Sequence, residues 1–177
     1  NAEALWKRLD KGSVRSSVNK SEKAGVEVVF CSDKKDMQEF YSLFVQTRKK
    51  LGSLSYSLNF FEDLWILKEN GWMQLVMAKY QGKYIAGAIV FLFNKQIIDA
   101  YAASSEKFLE LRPNNLILWK ILEFGNKNGY NYFDFGADPE SCKGLLEFKS
   151  RWGSKQEKIP YYYYLNNITK IPEFSPA

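Results

Sequence analysis

The sequence predicts an α/β fold in which a mixed, mostly antiparallel sheet is flanked by helices. Three strand-like segments, 73–80, 84–93 and 96–103, follow one another across short turns, which is typical of an antiparallel meander. A helical segment, 114–128, then leads to another strand at 130–135. A helical crossover between neighbouring strands requires a parallel pair, and such a switch in strand pairing leaves a central crevice at the carboxyl ends of the two strands.

The first part of the chain predicts one strand between helices. Residues 1–23 are basic and helix-forming, and we expect a helical linker there that leads into the domain. Residues 25–31 alternate as a strand does. Apolar residues recur at helical spacing over 37–51, and Gly52 ends that helix. A second helix is expected over 60–69, before an Asn-Gly pair.

The last part predicts two helices and two strands. Pro113 suits the first turn of a helix, and the segment that follows it is apolar nearly all round, as expected for a helix buried against a sheet. A short helix at 143–152 follows the strand at 130–135, and 158–165 is expected to return as a last strand. Residues 167–177 are expected to form a loose tail.

The length of 177 residues suits one domain, expected over 24–166, and a content of 46% hydrophobic and 16% aromatic residues supplies its core. No run of about 18 apolar residues occurs, so no membrane span is expected. The start lacks the charged-then-apolar order of a signal peptide, which favours a cytoplasmic protein. Because the chain starts at Asn-Ala without methionine, we expect a processed N-terminus or a fragment of a longer protein.

The composition excludes several kinds of chemistry. The chain has no histidine, which rules out histidine triads, histidine general bases and the common zinc sites. Cys31 and Cys142 are too far apart in sequence for a redox or metal-binding spacing, and no metal site is expected. A net charge of +5, concentrated in 7–23 and 143–158, favours anionic partners such as phosphates or RNA, although a solvated basic face has the same pattern.

The predicted helix at 144–153 places a lysine on its apolar side. At about 100° per residue, Leu145, Phe148 and Trp152 share one face, and Lys149 lies on that face too. Because this helix follows the strand beside the crevice, Lys149 could place its charge in polar volume there. The alternative is an apolar stem buried along the protein with the ammonium group reaching water.

Five local motifs, in order along the chain, carry a family resemblance. Taken together they resemble the FemAB-like branch of the GNAT acyltransferase superfamily, and the predicted order of helices and strands is that of the GNAT fold. The motifs occupy 22–28, 40–52, 111–116, 132–136 and 144–153.

The resemblance implies an enzyme that transfers an amino acid from aminoacyl-tRNA to the stem peptide of a peptidoglycan precursor, without a tightly bound cofactor. Members of this family usually have two GNAT-like subdomains, and this chain is similar to the second, which implies a missing N-terminal subdomain as its partner. Two alternatives stay open. One is an acyl-CoA-dependent N-acyltransferase acting on a sugar or small amine, and the other is a non-catalytic module that binds an anionic partner.

The resemblance and the residue chemistry nominate eight site residues. Lys149 is the candidate for stabilising the oxyanion of acyl transfer or a donor phosphate, and Asp134 for orienting or deprotonating the incoming amine. The loop before the long helix contains Pro113, which has no backbone N–H group. This argues against the usual binding of the CoA pyrophosphate by backbone amides at a helix N-terminus. The candidates for binding substrate or donor phosphate are Arg112, Asn114, Asn115, Phe148, Arg48 and Tyr101.

Overall fold

The computed structural model describes residues 2–164 and 166, and its centre is a five-stranded sheet with the strands in chain order. The first four strands pair antiparallel, and the fourth and fifth pair parallel, as the sequence predicts. The strands are β1 (Glu27–Phe30), β2 (Met73–Tyr80), β3 (Lys83–Phe93), β4 (Gln96–Ser104) and β5 (Tyr132–Asp134).

Helices cover both faces of this sheet. The core on one face is built with α1, α2, α6 and α7, and the core on the other face with α3, α4 and α5. The helices are α1 (Ala2–Arg8), α2 (Ser16–Lys23), α3 (Asp36–Lys50), α4 (Leu58–Asp63), α5 (Trp65–Glu69), α6 (Pro113–Lys127) and α7 (Lys143–Arg151), with a π-helix at Lys11–Arg15 and a 3₁₀ helix at Glu106–Leu111.

Two glycines allow helices to lie close to the sheet. A Cβ atom on Gly125 of α6 would lie 2.7 Å from Cδ1 of Ile97 on β4. A Cβ atom on Gly87 of β3 would lie 2.3 Å from Sδ of Met77 and 2.9 Å from Cδ2 of Phe40. All three distances are shorter than an ordinary contact between non-bonded atoms, so a larger residue would force the layers apart.

A bulge in β4 reorients the strand beside the crevice. Ile89 lies opposite Tyr101, but the next residue, Val90, lies opposite Asp99, which leaves Ala100 as the extra residue. Because side chains alternate along a strand, one extra residue reverses the faces beyond it. Tyr101 therefore packs in the core beside α3, while Asp99 lies near α7.

Some expectations for the secondary structure are wrong. The last strand, expected at 158–165, does not form over 158–164, and residue 165 lies outside the described residues. Pro160 removes a backbone donor there, and β5 is only three residues long, so it offers a short edge for pairing. The single helix expected at 60–69 is two short helices, α4 and α5. The tail expected at 167–177 also lies outside the described residues.

The N-terminal segment is helical, as predicted. Leu9, Val14 and Val18 are nevertheless buried in the same core as the sheet, so this segment packs onto the domain. The division of the chain at residue 23 stays a prediction. Within the described residues, no helix is both long and apolar enough to cross a lipid bilayer.

Candidate active site

The crevice opens where β4 and β5 part. β5 pairs with β4 only at Gln96, Ile97 and Ile98, while β4 continues along β3 to Ser104. The chain leaves β5 and turns at Gly136, whose φ is 72°, and a Cβ atom there would lie 3.6 Å from the carbonyl oxygen of Asp99. The parallel pair therefore separates at its carboxyl ends, where the sequence places the crevice.

Lys149 reaches this turn from α7. Its Nζ donates hydrogen bonds to the carbonyl oxygen of Phe135 at 2.5 Å and to that of Gly136 at 3.2 Å, and it forms an ion pair with Asp138. The side chains of Lys149 and Asp138 are 12% and 13% exposed. A lysine on the inward face of α7 thus has two hydrogen-bond acceptors and a negatively charged neighbour, which compensate for its removal from water.

Asp99 completes the charged cluster. Burial raises the pKa of Asp99 to about 6, while the positive charge of Lys149 lowers it and the negative charge of Asp138 raises it. Neither acid is among the site residues nominated from the sequence. The signal for Asp99 is its position as a single acid inside the apolar strand β4, because even a half-buried carboxylate is costly without a partner.

Asp134 and Phe148 lie beside this cluster. Asp134 is exposed, and its carboxylate accepts hydrogen bonds from the amide of Gly136 at 2.8 Å and from Nε2 of Gln96 at 3.2 Å. Its exposure follows from the position of β5 at the edge of the sheet, and its geometry is that of a turn cap. Phe148 is half-buried and lies edge-on to Trp152, with 6.4 Å between the ring centres.

The start of α6 has an unusual backbone conformation. Arg112 has φ 57° and ψ 39°, in the left-handed region that an arginine rarely adopts. The Asn115 amide donates to the carbonyl oxygen of Arg112 at 3.1 Å, so this amide is not available to an anion. The Asn114 side chain donates to Oγ of Ser104 at 3.4 Å.

Arg48 and Tyr101 lie on the other face of the sheet. Arg48 donates from Nε to the carbonyl oxygen of Leu54 at 3.2 Å, and its guanidinium lies 5.9 Å from the ring centre of Phe44. Tyr101 packs edge-on against Phe44 and Phe61, at 5.9 and 5.3 Å between ring centres. The candidates thus form three groups, around Lys149, around Arg112 and around Tyr101, which the structure does not bring into contact.

A large cleft of about 2050 Å³ gives access to the Lys149 group. Its walls include Arg8 from α1, Gln96 from β4, Lys149 and Trp152 from α7, and Tyr161 from the segment after α7. Among the described residues, no group of three or more Cys, Asp or Glu side chains could hold a metal ion. The cleft is large enough for the end of an extended substrate.

Comparisons with known proteins agree with this architecture. The acetyltransferase (GNAT) domain family matches residues 10–150. The chain is similar to the lipid II:glycine glycyltransferase of Staphylococcus aureus, with 30% identity over 94 residues, which are 49% of this chain and 22% of that protein. It therefore spans much less than half of this relative.

Solved structures share the fold. A crystal structure of FemX has a TM-score of 0.77 at 20% identity and covers 86% of this chain, which in turn covers 56% of FemX. An aminoglycoside acetyltransferase from an uncultured soil metagenomic sample has a TM-score of 0.63 at 12% identity, with 80% of this chain and 97% of that chain covered. With the family match over residues 10–150, the chain belongs to the acetyltransferase (GNAT) domain family and is related to the FemAB-type glycyltransferases.

Proposed function

We propose that this chain is the acyl-transferring domain of an enzyme that forms an amide bond. The proposed reaction moves an aminoacyl group from aminoacyl-tRNA to an amino group of a peptidoglycan precursor or another anionic cell-envelope precursor. The observation that carries the proposal is the position of Lys149 where β4 and β5 part, held by Phe135, Gly136 and Asp138, with its charge acting on Asp99 of β4. The similarity to the lipid II:glycine glycyltransferase supports the choice of donor and acceptor.

The chemistry needs no nucleophile from the protein. The nitrogen of the acceptor amine attacks the ester carbonyl carbon of the donor, a C–N bond forms, and the C–O bond to the terminal ribose breaks. Asp99 takes the proton that the amine loses and returns it to the departing ribose oxygen. A carboxyl group with a pKa of about 6 suits this exchange, because it is mostly ionised at neutral pH yet more basic than an exposed carboxylate.

Lys149 is proposed to stabilise the negative charge that develops on the carbonyl oxygen during attack. Its hydrogen bonds to Phe135 and Gly136 hold the ammonium group in place before the substrate arrives. A fixed charge in a site with little water stabilises a developing oxyanion more than a mobile one. Asp134, which caps the turn at Gly136, is proposed to position the same backbone.

The start of α6 favours a donor other than CoA. Pro113 has no amide hydrogen, and the Asn115 amide is already bonded within the turn. A pyrophosphate group would therefore meet few backbone donors there. Arg112 and the side chain of Asn114 are proposed to contact a phosphate or a sugar hydroxyl of the donor instead. Arg48 and Tyr101, on the opposite face of the sheet, are proposed to contact a part of the substrate that lies away from the reacting atoms.

The whole enzyme is proposed to contain a second GNAT-like subdomain that precedes this one. This chain covers 56% of FemX and 22% of the glycyltransferase, so these relatives contain further chain that it lacks. A donor of this kind would place the reaction in the cytoplasm, and no resident cofactor is required.

A transfer assay tests the proposal. The chain is mixed with a UDP-linked peptidoglycan precursor and with either tRNA charged with a radiolabelled amino acid or labelled acetyl-CoA, and label in the precursor is measured. Label from charged tRNA alone is the expected result. Label from acetyl-CoA alone would replace the donor by an acyl-CoA, and binding of charged tRNA without transfer would favour a non-catalytic module.

A matched pair of variants locates the reaction. Asp99→Asn is expected to lower transfer by roughly 10²-fold or more, as removal of a general base does. Asp63→Asn removes the same charge from the end of α4, on the other side of the sheet, and should leave transfer unchanged. Equal transfer by both variants would take Asp99 out of the mechanism.

A further inference from the structure

A second cavity, of about 540 Å³, lies on the N-terminal helical segment, outside the proposed reaction site. Its ionisable lining residues are all cations. It is lined by Trp6, Lys11, Arg15, Ser16, Asn19, Lys20 and Lys23.

The local backbone brings these cations together. The amide of Arg15 donates to the carbonyl oxygen of Asp10 at 3.0 Å, the wide turn of a π-helix, and Asp10 caps that turn by accepting from the amide of Ser13 at 2.6 Å. In α2, Lys20 follows Ser16 by four residues and Lys23 follows Lys20 by three, so the three residues share one face. The π-turn and this face of α2 form a single basic surface.

The positive charges of this surface are mostly not neutralised by the protein. Nε of Arg15 is buried, and no acceptor for it lies among the described residues. Over residues 2–164 and 166, no ion pair within 4 Å involves Lys11 or Lys23. Lys20 has only a 3.5 Å contact with the highly exposed Glu110. An exposed pair of this kind neutralises little charge.

The same segment also borders the reaction cleft. Ala4, Leu5 and Arg8 of α1 line the large cleft together with Lys149, while Trp6, on the other side of α1, lines the basic cavity and packs on Trp119 at 4.6 Å between ring centres. The pKa of Asp10 is lowered by its hydrogen bonds with Ser13 and further by the positive charges of Arg151 and Arg15. The N-terminal helical segment therefore lines both cavities, and Asp10, which caps its π-turn, is close enough to α7 to be affected by the charge of Arg151.

We infer that this basic surface binds the phosphodiester backbone of the RNA donor, whose aminoacylated end then enters the large cleft. The inference rests on the proposed function, because it assumes a nucleic-acid donor. Lys11 and Lys23 are separated by twelve residues of helical chain, or roughly 18 Å, which spans on the order of five phosphates of one strand. A row of separate cations over that length suits a polyanion better than one phosphate.

The test is the salt dependence of the binding of uncharged tRNA, measured by fluorescence anisotropy. The variant Lys11→Gln/Lys20→Gln/Lys23→Gln should bind at least about tenfold more weakly at 0.1 M salt. The slope of its plot of log affinity against log salt should be smaller in magnitude by about 2 to 3, because each lost phosphate contact reduces that slope by roughly 0.7 to 0.9. Arg15→Gln should lower affinity in the same direction. The three lysines are exposed, so folding should be preserved.

The control variant Lys34→Gln/Lys35→Gln/Lys49→Gln removes the same charge from exposed lysines at either end of α3. Its salt slope should match that of the unaltered chain. Equal losses in both variants, no tRNA binding by the unaltered chain, or full displacement of tRNA by micromolar pyrophosphate would each overturn the inference.

Transfer measurements separate this inference from the proposed function. If the unaltered chain transfers label from charged tRNA but the first triple variant has the same KM for tRNA, the basic surface is excluded and the function stands. If charged tRNA binds with the expected salt slopes while labelled acetyl-CoA is the donor in the transfer assay, the proposed function fails, and the surface is a binding site for an RNA that is not the acyl donor.

Discussion

Nζ of Lys149 lies 2.5 Å from the carbonyl oxygen of Phe135, so α7 is tied to the backbone that leaves β5. The same ammonium group is paired with Asp138, which is only 13% exposed. Lys149 can therefore act in two ways, as a structural link or as a charge in the reaction. The two roles predict different variant behaviour.

Lys149→Met should lower the free energy of unfolding by about 2 to 4 kcal/mol, because Asp138 would lose its counter-charge in a mostly buried position. The double variant Lys149→Met/Asp138→Asn should recover part of this stability, since no uncompensated charge remains. Urea unfolding followed by tryptophan fluorescence measures both. If Lys149 stabilises the transition state, transfer by the double variant stays roughly 10²-fold low at the recovered stability. Recovery of transfer together with stability would leave Lys149 a structural role only.

Asp99 should make stability depend on pH. Its pKa is about 6 in the folded chain and 3.8 as the ordinary value, so the folded state holds this proton more tightly. The stability that results is fully present below about pH 4 and is lost as the pH rises through about 6. Asp99→Asn should therefore be more stable than the unaltered chain at pH 8, by about 2 to 3 kcal/mol, and nearly equal to it at pH 3.5. Parallel curves of unfolding free energy against pH would contradict this.

The proposed role of Asp99 also predicts the pH dependence of transfer. As the pH falls below about 6, Asp99 gains a proton and can no longer accept one, so kcat/KM should fall about tenfold per pH unit. In Asp99→Asn, the remaining activity should lack this acid limb. An unchanged limb in the variant would assign it to another group, such as the acceptor amine.

Gly87 is expected to tolerate no side chain. Gly87→Ala would place a Cβ atom against Met77 and Phe40, between β3, β2 and α3, and overpacking of this kind costs about 1 to 3 kcal/mol. The control is Gly144→Ala in α7, where nothing lies within 4 Å of the new atom, and alanine there should be neutral or stabilising by up to about 1 kcal/mol. Thermal unfolding of both variants measures the difference, and a loss in Gly144→Ala as large as that in Gly87→Ala would contradict the packing argument.

Arg112 should show a conflict between stability and activity. Its left-handed conformation suits glycine, so Arg112→Gly should raise the free energy of unfolding by about 1 kcal/mol, while Arg112→Ala keeps the strain. If Arg112 binds the donor, both variants should raise the KM for charged tRNA. A glycine variant with higher stability and an unchanged KM would mean that the side chain has no part in donor binding.

Much of the fold could be predicted because it follows from local patterns. The meander of β2, β3 and β4, the buried character of α6 and the parallel pairing of β5 all follow from apolar periodicity, turns and the handedness of crossovers. The last strand was not predictable in this way. A run of tyrosines after Pro160 has strand character by itself, but whether it pairs depends on an edge that other parts of the chain supply.

The sequence by itself determined the order of helices and strands, the crevice at the β4 and β5 pair, and the inward face of Lys149, because these depend on residue spacing along the chain. Only the tertiary structure decided that Lys149 meets Asp138 and lies near Asp99, that Asp134 is exposed, and that Arg48 and Tyr101 lie on the opposite face. These relationships depend on the bulge at Ala100 and on how α7 packs against the end of β5. Register shifts and long-range contacts of this kind leave no periodic signal in the residues that make them.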